Sequence, residues 1–263
     1  MKKNQKKWSN KEIELLINNN NIKNTEIFKL FPDRSKASIE NQRSRLGLKK
    51  ERCYYDSDSI DILLEDNHIS YYWIGFLLAD GCIYNDKLAL SISVEDINHI
   101  NKISEYIGIK TIYAVNHNKG YSNNSAMSYI LISNKRLIPQ IMEKFDWKYR
   151  KTYNPPDITK YKCSQELLKS LFIGFIDGDG CIRKQTGRKD TMIQFRVHSS
   201  WIVVLNAFKS VLNFNVASPY IGKDGYCQWN IGNHYVQSLL REHINTYNLP
   251  VLERKWNKLS IKR

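Results

Sequence analysis

Two aspartates hold matching places in a stretch that the chain uses twice. Residues 73–82 read WIGFLLADGC and residues 172–181 read FIGFIDGDGC. Each copy is an apolar run, too short to span a bilayer, that ends in Asp-Gly-Cys-Ile, with Asp80 and Asp179 equivalent. Gly75 and Ala79 are four apart, as are Gly174 and Gly178. On a helix that spacing puts both small residues on one face, where another helix backbone can approach closely. Glycine inside a helix costs about 0.5–1 kcal/mol relative to alanine, so a repeated pair implies a packing purpose. The simplest partner for each small-residue face is the other copy. Gly81 and Gly180 are then expected to end the helices in the left-handed conformation. This arrangement sets Asp80 and Asp179 side by side. Paired carboxylates repel, and one pKa rises unless a cation lies between them. Hard oxygen ligands with room for water and phosphate suit Mg²⁺. A metal held in this way activates water and stabilises the leaving oxygen of a phosphodiester.

With these residues in place, the two stretches resemble the LAGLIDADG motif of homing endonucleases. The first copy departs from the motif at Leu78, where the second keeps Asp177. The resemblance covers about three quarters of the chain. It implies an α+β fold of two pseudo-symmetric αββαββα half-domains with antiparallel sheets in a single chain. It also implies that Asp80 and Asp179 are the metal-binding, catalytic acids. Each half ends alike, in KYRKTYN and in LERKWNK, which aligns Arg150-Lys151 with Arg254-Lys255. In the family a lysine near this place approaches the active site, so the resemblance assigns that role to Lys151 and Lys255. A lysine there would stabilise charge on phosphate or polarise water.

The 263 residues suffice for two or three small domains, and a net charge of +14 favours polyanions, nucleic acid foremost. Five cysteines (53, 82, 163, 181 and 227) form no CxxC pair, which argues against a disulfide framework and a zinc site. Cys82 and Cys181 are read as packing residues. No signal peptide or membrane span is recognised, so the expected compartment is the cytoplasm, bacterial or phage-infected, or an organelle matrix, with no secretion and no membrane partner.

Charge is concentrated at the start. Residues 1–52 hold 14 Lys and Arg against 6 Asp and Glu, a net +8. KKWSNKEIELLI opens with a capping box, Ser9 with Glu12, followed by Ile13, Leu16 and Ile17 at helical spacing. NTEIFKLF is a second short helix, stopped by Pro32. SKASIENQRSRLGL is a third, capped by Ser35 and closed by Gly47. Three short helices with a basic third resemble the Myb/SANT-like helix-turn-helix class, which implies a small DNA-binding domain. Lys36, Asn41, Gln42, Arg43 and Arg45 would lie on or near its recognition helix, in the major groove.

Residues 53–69 are polar and acidic and read as a linker. The first half-domain spans 70–152, a second linker 153–164, and the second half-domain 165–263. After Asp80 a hairpin is expected through Asn85-Asp86. LALSISV alternates, with Leu88, Leu90, Ile92 and Val94 on one face and Ala89, Ser91 and Ser93 on the other. DINHINKISEYIG is an amphipathic helix, TIYAV and MSYILIS are strands, and KRLIPQIMEKF is the closing helix. The second half repeats this order: a basic hairpin loop (RKQTGRKD), MIQFRVH, WIVVLNAFKSVL, VASPYI, GYCQWNI and YVQSLLREHI.

A β-ribbon fits the major groove of B-DNA, and a half-buried antiparallel sheet leaves one face free to enter it. Outward residues are therefore candidate readers: Gln194, Arg196, His198, Gln228 and Asn230, with Ser91 and Ser93 shorter. Arg183, Lys184, Arg188 and Lys189 suit phosphates. The expectation is a monomeric, Mg²⁺-dependent double-strand endonuclease acting on a long asymmetric DNA site. By the resemblance, its biological result is mobility of an intron or free-standing gene. Two rivals stand beside it, a DNA-binding regulator on a non-cleaving core and a maturase whose partner is intron RNA. A regulator has no need to keep the metal-site acids, and both are kept here.

Overall fold

A computed structural model describes residues 7–19, 24–48, 57–84, 87–115, 126–184 and 190–259. The chain divides into two compact units, residues 1–54 and 55–263. Among the described residues no helix is long and apolar enough to cross a membrane.

The first unit contains helices α1 (Asn10–Asn18), α2 (Asn24–Leu30) and α3 (Lys36–Arg45). Ser9 and Glu12 form the capping box of α1, and the Ser35 hydroxyl accepts from Ser38 N–H at the start of α3. Leu16, Ile27, Phe31 and Ile39 make a small core, flanked by Trp8. Arg34 braces it: its guanidinium donates to Glu12 at 2.9 Å and lies 4.7 Å from the centre of the Trp8 ring. The hydrogen bond from Arg34 pulls the Glu12 carboxyl down to about 2. Ile17, expected to face the core, is exposed. Arg43, read as a groove-facing residue, is buried. It follows Ile39 by four positions and so shares the inward face of α3.

The second unit begins earlier than expected. Residues read as linker form α4 (Ser57–Ile60) and a 3₁₀ turn (Asp61–Leu64), with Ile60 and Leu63 buried in the main core. Glu65 and Asp66 are exposed while Ile60 and Leu63 turn in. Helix α5 (His68–Asp80) follows, capped by Asn67. Strands β1 (Gly81–Tyr84) and β2 (Lys87–Ser93), helix α6 (Ile97–Tyr106), strands β3 (Ile112–Val115) and β4 (Ala126–Ser133) and helix α7 (Leu137–Lys144) come next. Helix α8 (Gln165–Asp179), capped by Ser164, then repeats the sequence of elements. Strands β5 (Gly180–Lys184) and β6 (Thr191–His198), helix α9 (Ile202–Val211), strands β7 (Tyr220–Ile221) and β8 (Tyr226–Ile231), and helices α10 (His234–Tyr247) and α11 (Glu253–Trp256) complete it.

Mixed helices and antiparallel sheets thus make an α+β unit. The two four-stranded sheets are ordered β1-β2-β4-β3 and β5-β6-β8-β7. Alternation decides their faces. Leu88, Leu90 and Ile92 of β2, and Ile193, Phe195 and Val197 of β6, are buried, while their neighbours point away from the core. Val94 departs from this pattern. It is exposed, because the chain leaves the strand at Ser93 and turns into a 3₁₀ helix there. The Asn85-Asp86 hairpin lies outside the described residues.

The central element is the α5–α8 pair. Both helices are apolar almost all round and buried along most of their length, as a helix enclosed on every side must be. Their backbones touch. A Cβ on Gly75 would come within 1.9 Å of the Leu171 carbonyl oxygen, and one on Gly174 within 1.9 Å of the Tyr72 carbonyl oxygen. Toward the C-terminal ends, a Cβ on Gly178 would meet the Ala79 methyl at 2.2 Å.

Gly81 and Gly180 are not left-handed caps. Their φ,ψ values of −75°, 160° and −83°, 147° are extended. Glycine is required instead by close approach, since a Cβ would lie 2.5 Å from the Leu77 carbonyl oxygen in one case and 2.6 Å from that of Ile176 in the other. The helix therefore turns into its strand without a break.

Candidate active site at the end of the helix seam

Asp80 and Asp179 are the last residues of α5 and α8. Because the two seams of small residues converge at Ala79 and Gly178, the carboxylates are neighbours. The Asp80 Oδ2 atom lies 3.4 Å from where a Gly178 Cβ would stand. Both residues keep exposed surface, although the helix ends around them strip part of the water from each carboxylate. Neither carboxylate accepts a hydrogen bond among the described residues. Lost hydration, then the Asp179 charge, push Asp80 up to about 6, against the pull of Lys255 and Lys151. Asp179 is also raised, by lost hydration, with the same two lysines acting against it.

The lysines do not point freely at the carboxylates. Lys151 Nζ donates to the carbonyls of Leu78, at 2.6 Å, and of Ala79. Lys255 Nζ lies within bonding distance of four carbonyls: Asp177 at 2.6 Å, Gly180 at 2.7 Å, Gly178 at 3.2 Å and Ile176 at 3.3 Å. Each lysine thus caps the negative end of a motif helix, where a cation is favoured by the dipole. Burial lowers the pKa of both, and the nearby aspartates raise it. Three N–H groups on Lys255 face four acceptors, so it is saturated. Lys151 meets two carbonyls and the ring of Trp201, whose centre is 5.9 Å from Nζ.

Asp177 has a different task from Asp179, two residues on. It is buried and accepts from Tyr72 Oη at 2.6 Å, Trp256 Nε1 at 2.8 Å and Leu252 N–H at 2.9 Å. Burial pushes it up to about 6 despite these donors. The equivalent position in the first copy is Leu78, in an apolar setting.

Several residues near the site were not singled out in the sequence. Asp96 accepts from Arg254 Nε at 2.5 Å, and its charge adds to the upward push on Asp80. Trp201 flanks Lys151. Both stand at the 3₁₀ turns after β2 and β6, and only the internal repeat could have drawn attention to those turns.

The other predicted residues that are described fall on three surfaces. In the first unit Lys36, Asn41 and Arg45 are exposed on α3 and Gln42 is half-buried, with Lys36 Nζ 5.4 Å from the Phe28 ring centre. On the outer face of the second sheet, Arg196 is exposed, bonded to Asp224 at 2.8 Å and 4.4 Å from the centre of the Tyr226 ring. Tyr220 Oη donates to the Gln228 side chain at 3.1 Å. Gln194, His198 and Asn230 are half-buried beside them, and Arg183 and Lys184 are exposed at the strand end. Ser91 and Ser93 are exposed on the first sheet. Arg188 and Lys189 lie outside the described residues. Cys82 and Cys181 are corrected here: both are exposed, on the free faces of β1 and β5, because the strand alternation that buries Ile83 and Ile182 turns them outward.

No family model matches the sequence. A 61-residue stretch is 39% identical to the uncharacterized protein Lin2408 of Listeria innocua, and covers 78% of that protein and 23% of this chain. The chain belongs to one family with that protein. The relative's name carries no activity. Solved structures similar to this one are LAGLIDADG-type nucleases. Meganuclease I-SmaMI bound to uncleavable DNA is 11% identical over 72% of this chain and 88% of its own, with a TM-score of 0.46. The I-LtrWI LAGLIDADG homing endonuclease bound to target DNA is 12% identical over 71% and 86%, with a TM-score of 0.47. I-GzeII in complex with its DNA target is 13% identical over 74% and 89%, with a TM-score of 0.45.

Proposed function

We propose that this chain is a site-specific, metal-dependent double-strand DNA endonuclease of the LAGLIDADG kind. Its two pseudo-symmetric halves would act as a monomer on a long asymmetric target and promote mobility of an intron or free-standing gene. The observation that carries the reading is the meeting of Asp80 and Asp179. Two copies of one motif end their helices at one point and present two partly exposed carboxylates that lack hydrogen-bond donors among the described residues.

A divalent cation such as Mg²⁺ fits this donor set. The carboxylates are hard ligands whose mutual repulsion a cation relieves. Among the described residues no group of three or more His, Cys, Asp or Glu converges here, so most coordination positions would fall to water and phosphate, which Mg²⁺ favours. Such an ion would activate water and stabilise the leaving oxygen. The chain's own residues do the rest. Asp80 and Asp179 must be ionised to bind. Lys151 retains an N–H beyond its two carbonyls, suited to charge developing on phosphate. Lys255, fully engaged, holds the end of α8 and so positions Asp179. Arg196, Gln194, His198, Gln228 and Asn230 on the second sheet, with Ser91 and Ser93 on the first, would read bases. Arg183 and Lys184 would bind phosphates. The exposed Lys36, Asn41 and Arg45 of α3 give the first unit a face for a second stretch of duplex.

The test is incubation of purified protein with a randomised duplex library, with Mg²⁺ and with EDTA. Metal-dependent double-strand cuts at one sequence are expected. Asp179→Asn should abolish them while sparing binding. Unchanged cutting by this variant would remove Asp179 from the chemistry.

A further inference from the structure

The free faces of the two sheets can be compared position by position, because the strand registers match. Gly81 pairs with Leu90 as Gly180 pairs with Phe195, and Leu90 pairs with Ile130 as Phe195 pairs with Trp229. Three outward cross-strand pairs of the first sheet therefore have strict counterparts in the second. Ala89–Leu131 corresponds to Gln194–Asn230. Ser91–Tyr129 corresponds to Arg196–Gln228, and Ser93–Met127 to His198–Tyr226.

The two faces differ in kind. On the first sheet these positions carry no charge and no amide. Leu131, Tyr129, Met127 and Ala89 are half-buried, with apolar surface turned outward between two exposed serines. On the second sheet the six counterparts are a guanidinium, three carboxamides from Gln194, Gln228 and Asn230, an imidazole and the phenol of Tyr226, over whose ring the Arg196 guanidinium lies. Arg196 is held in place by Asp224 through Nε and one Nη, which leaves the other Nη free to donate. Arginine and carboxamides make directed hydrogen bonds to guanine and adenine edges in the major groove. Apolar side chains there have one distinctive partner, the C5 methyl of thymine.

We infer that the first sheet reads its half of the DNA target through thymine methyl groups, with Leu131, Tyr129 and Met127 as the determinants, whereas the second sheet reads its half through hydrogen bonds. The inference rests on the DNA reading above. The occupant is duplex DNA rather than a protein because the face is continuous with the strand that leaves Asp80, has a polar counterpart after Asp179, and belongs to a chain with net charge +14. The target is then lopsided: rich in thymine on one side and specified base by base on the other.

The experiment begins with the bound sequence selected from a randomised library by full-length protein. Arg196→Ala identifies the half read by the second sheet, since specificity relaxes there alone. Thymines are then replaced by deoxyuridine, one half at a time, which deletes only the methyl. Each contacted thymine in the first-sheet half should cost about fourfold in affinity, the worth of one buried methyl group. The other half should tolerate the change. In Leu131→Asn, which installs the second-sheet residue, the deoxyuridine penalty should shrink at one position. Equal deoxyuridine penalties in both halves, or none in the first, would overturn the inference while leaving the endonuclease reading intact. Failure to select any DNA sequence would overturn both.

Discussion

Gly174→Ala should destabilise the protein although it improves helix propensity. Taken alone, alanine in a helix interior is favoured over glycine by about 0.5–1 kcal/mol. Here the new methyl would lie 1.9 Å from the Tyr72 carbonyl oxygen, 2.8 Å from its carbon and 2.9 Å from the Phe76 nitrogen, all backbone atoms of α5. Ordinary contact begins at 3.4 Å, so the helices must separate by about 1.5 Å locally. No side chain can turn aside to absorb this. Overpacking typically costs 1–3 kcal/mol, and a backbone obstacle places this case at or above the top of that range. After the propensity gain, a net loss of about 2 kcal/mol or more remains. The same displacement acts on Asp80 and Asp179 at the end of the seam, where a shift of about 1 Å is worth on the order of a hundredfold in rate. Denaturant unfolding followed by tryptophan fluorescence measures the first effect, and cleavage of the selected site the second. A midpoint equal to or above that of the parent would refute the argument, because it would mean that the helices are not held at backbone contact.

Metal affinity at the Asp80–Asp179 pair should fall with acidification. Asp80 is raised to about 6, so below that pH each bound ion must displace a proton, whereas above it affinity should level off; calorimetric titration at several pH values reads the proton release. Lys255→Met should lower the unfolding midpoint more than Lys151→Met, since Lys255 faces four backbone carbonyls and Lys151 two, and equal losses would contradict the capping roles. His243 joins Ser170 at 2.8 Å and Glu166 at 3.1 Å, and burial depresses it to about 4. Its folded pKa is below its unfolded one, so the neutral ring contributes stability above pH 6.5 that is lost as pH falls through about 4. His243→Gln should flatten that part of the stability profile.

The order of helices and strands was legible because two periodicities are plainly written. Leu88, Leu90 and Ile92, like Ile193, Phe195 and Val197, mark strands by alternation, and the buried runs before each Asp-Gly mark helices by their four-residue spacing of small residues. What escaped was decided by tertiary contact. Nothing local distinguishes a glycine needed for a left-handed turn from one needed beside a carbonyl, so Gly81 and Gly180 were assigned the wrong reason. Acidic composition suggested a linker where Ile60 and Leu63 anchor a helix and a turn. Arg43 looked like a surface base on charge alone, although its spacing from Ile39 already placed it inward. At the candidate site, the pair of aspartates could be found from the repeat. The carbonyls that hold Lys151 and Lys255, and the placement of Asp96 and Trp201, depend on how distant turns fold back, which spacing along the chain does not encode.

The buried Asp177 bears on which helices pair as well as on packing. Its donor Tyr72 comes from the first motif helix, where the residue matching Asp177 is Leu78, and the residue matching Tyr72 in the second helix is Leu171. Two copies of the second helix paired together would each offer an Asp177 with no tyrosine opposite. Two copies of the first would leave each Tyr72 hydroxyl facing a leucine. In such pairings Asp177 would keep its bonds from Trp256 and Leu252, and Tyr72 its bond with His99, so what is lost is the one hydrogen bond that joins the two helices. The Tyr72–Asp177 bond thus favours the pairing of unlike helices over the pairing of like ones. A gene cut between residues 152 and 165 should therefore yield two pieces that seek one another rather than their own kind.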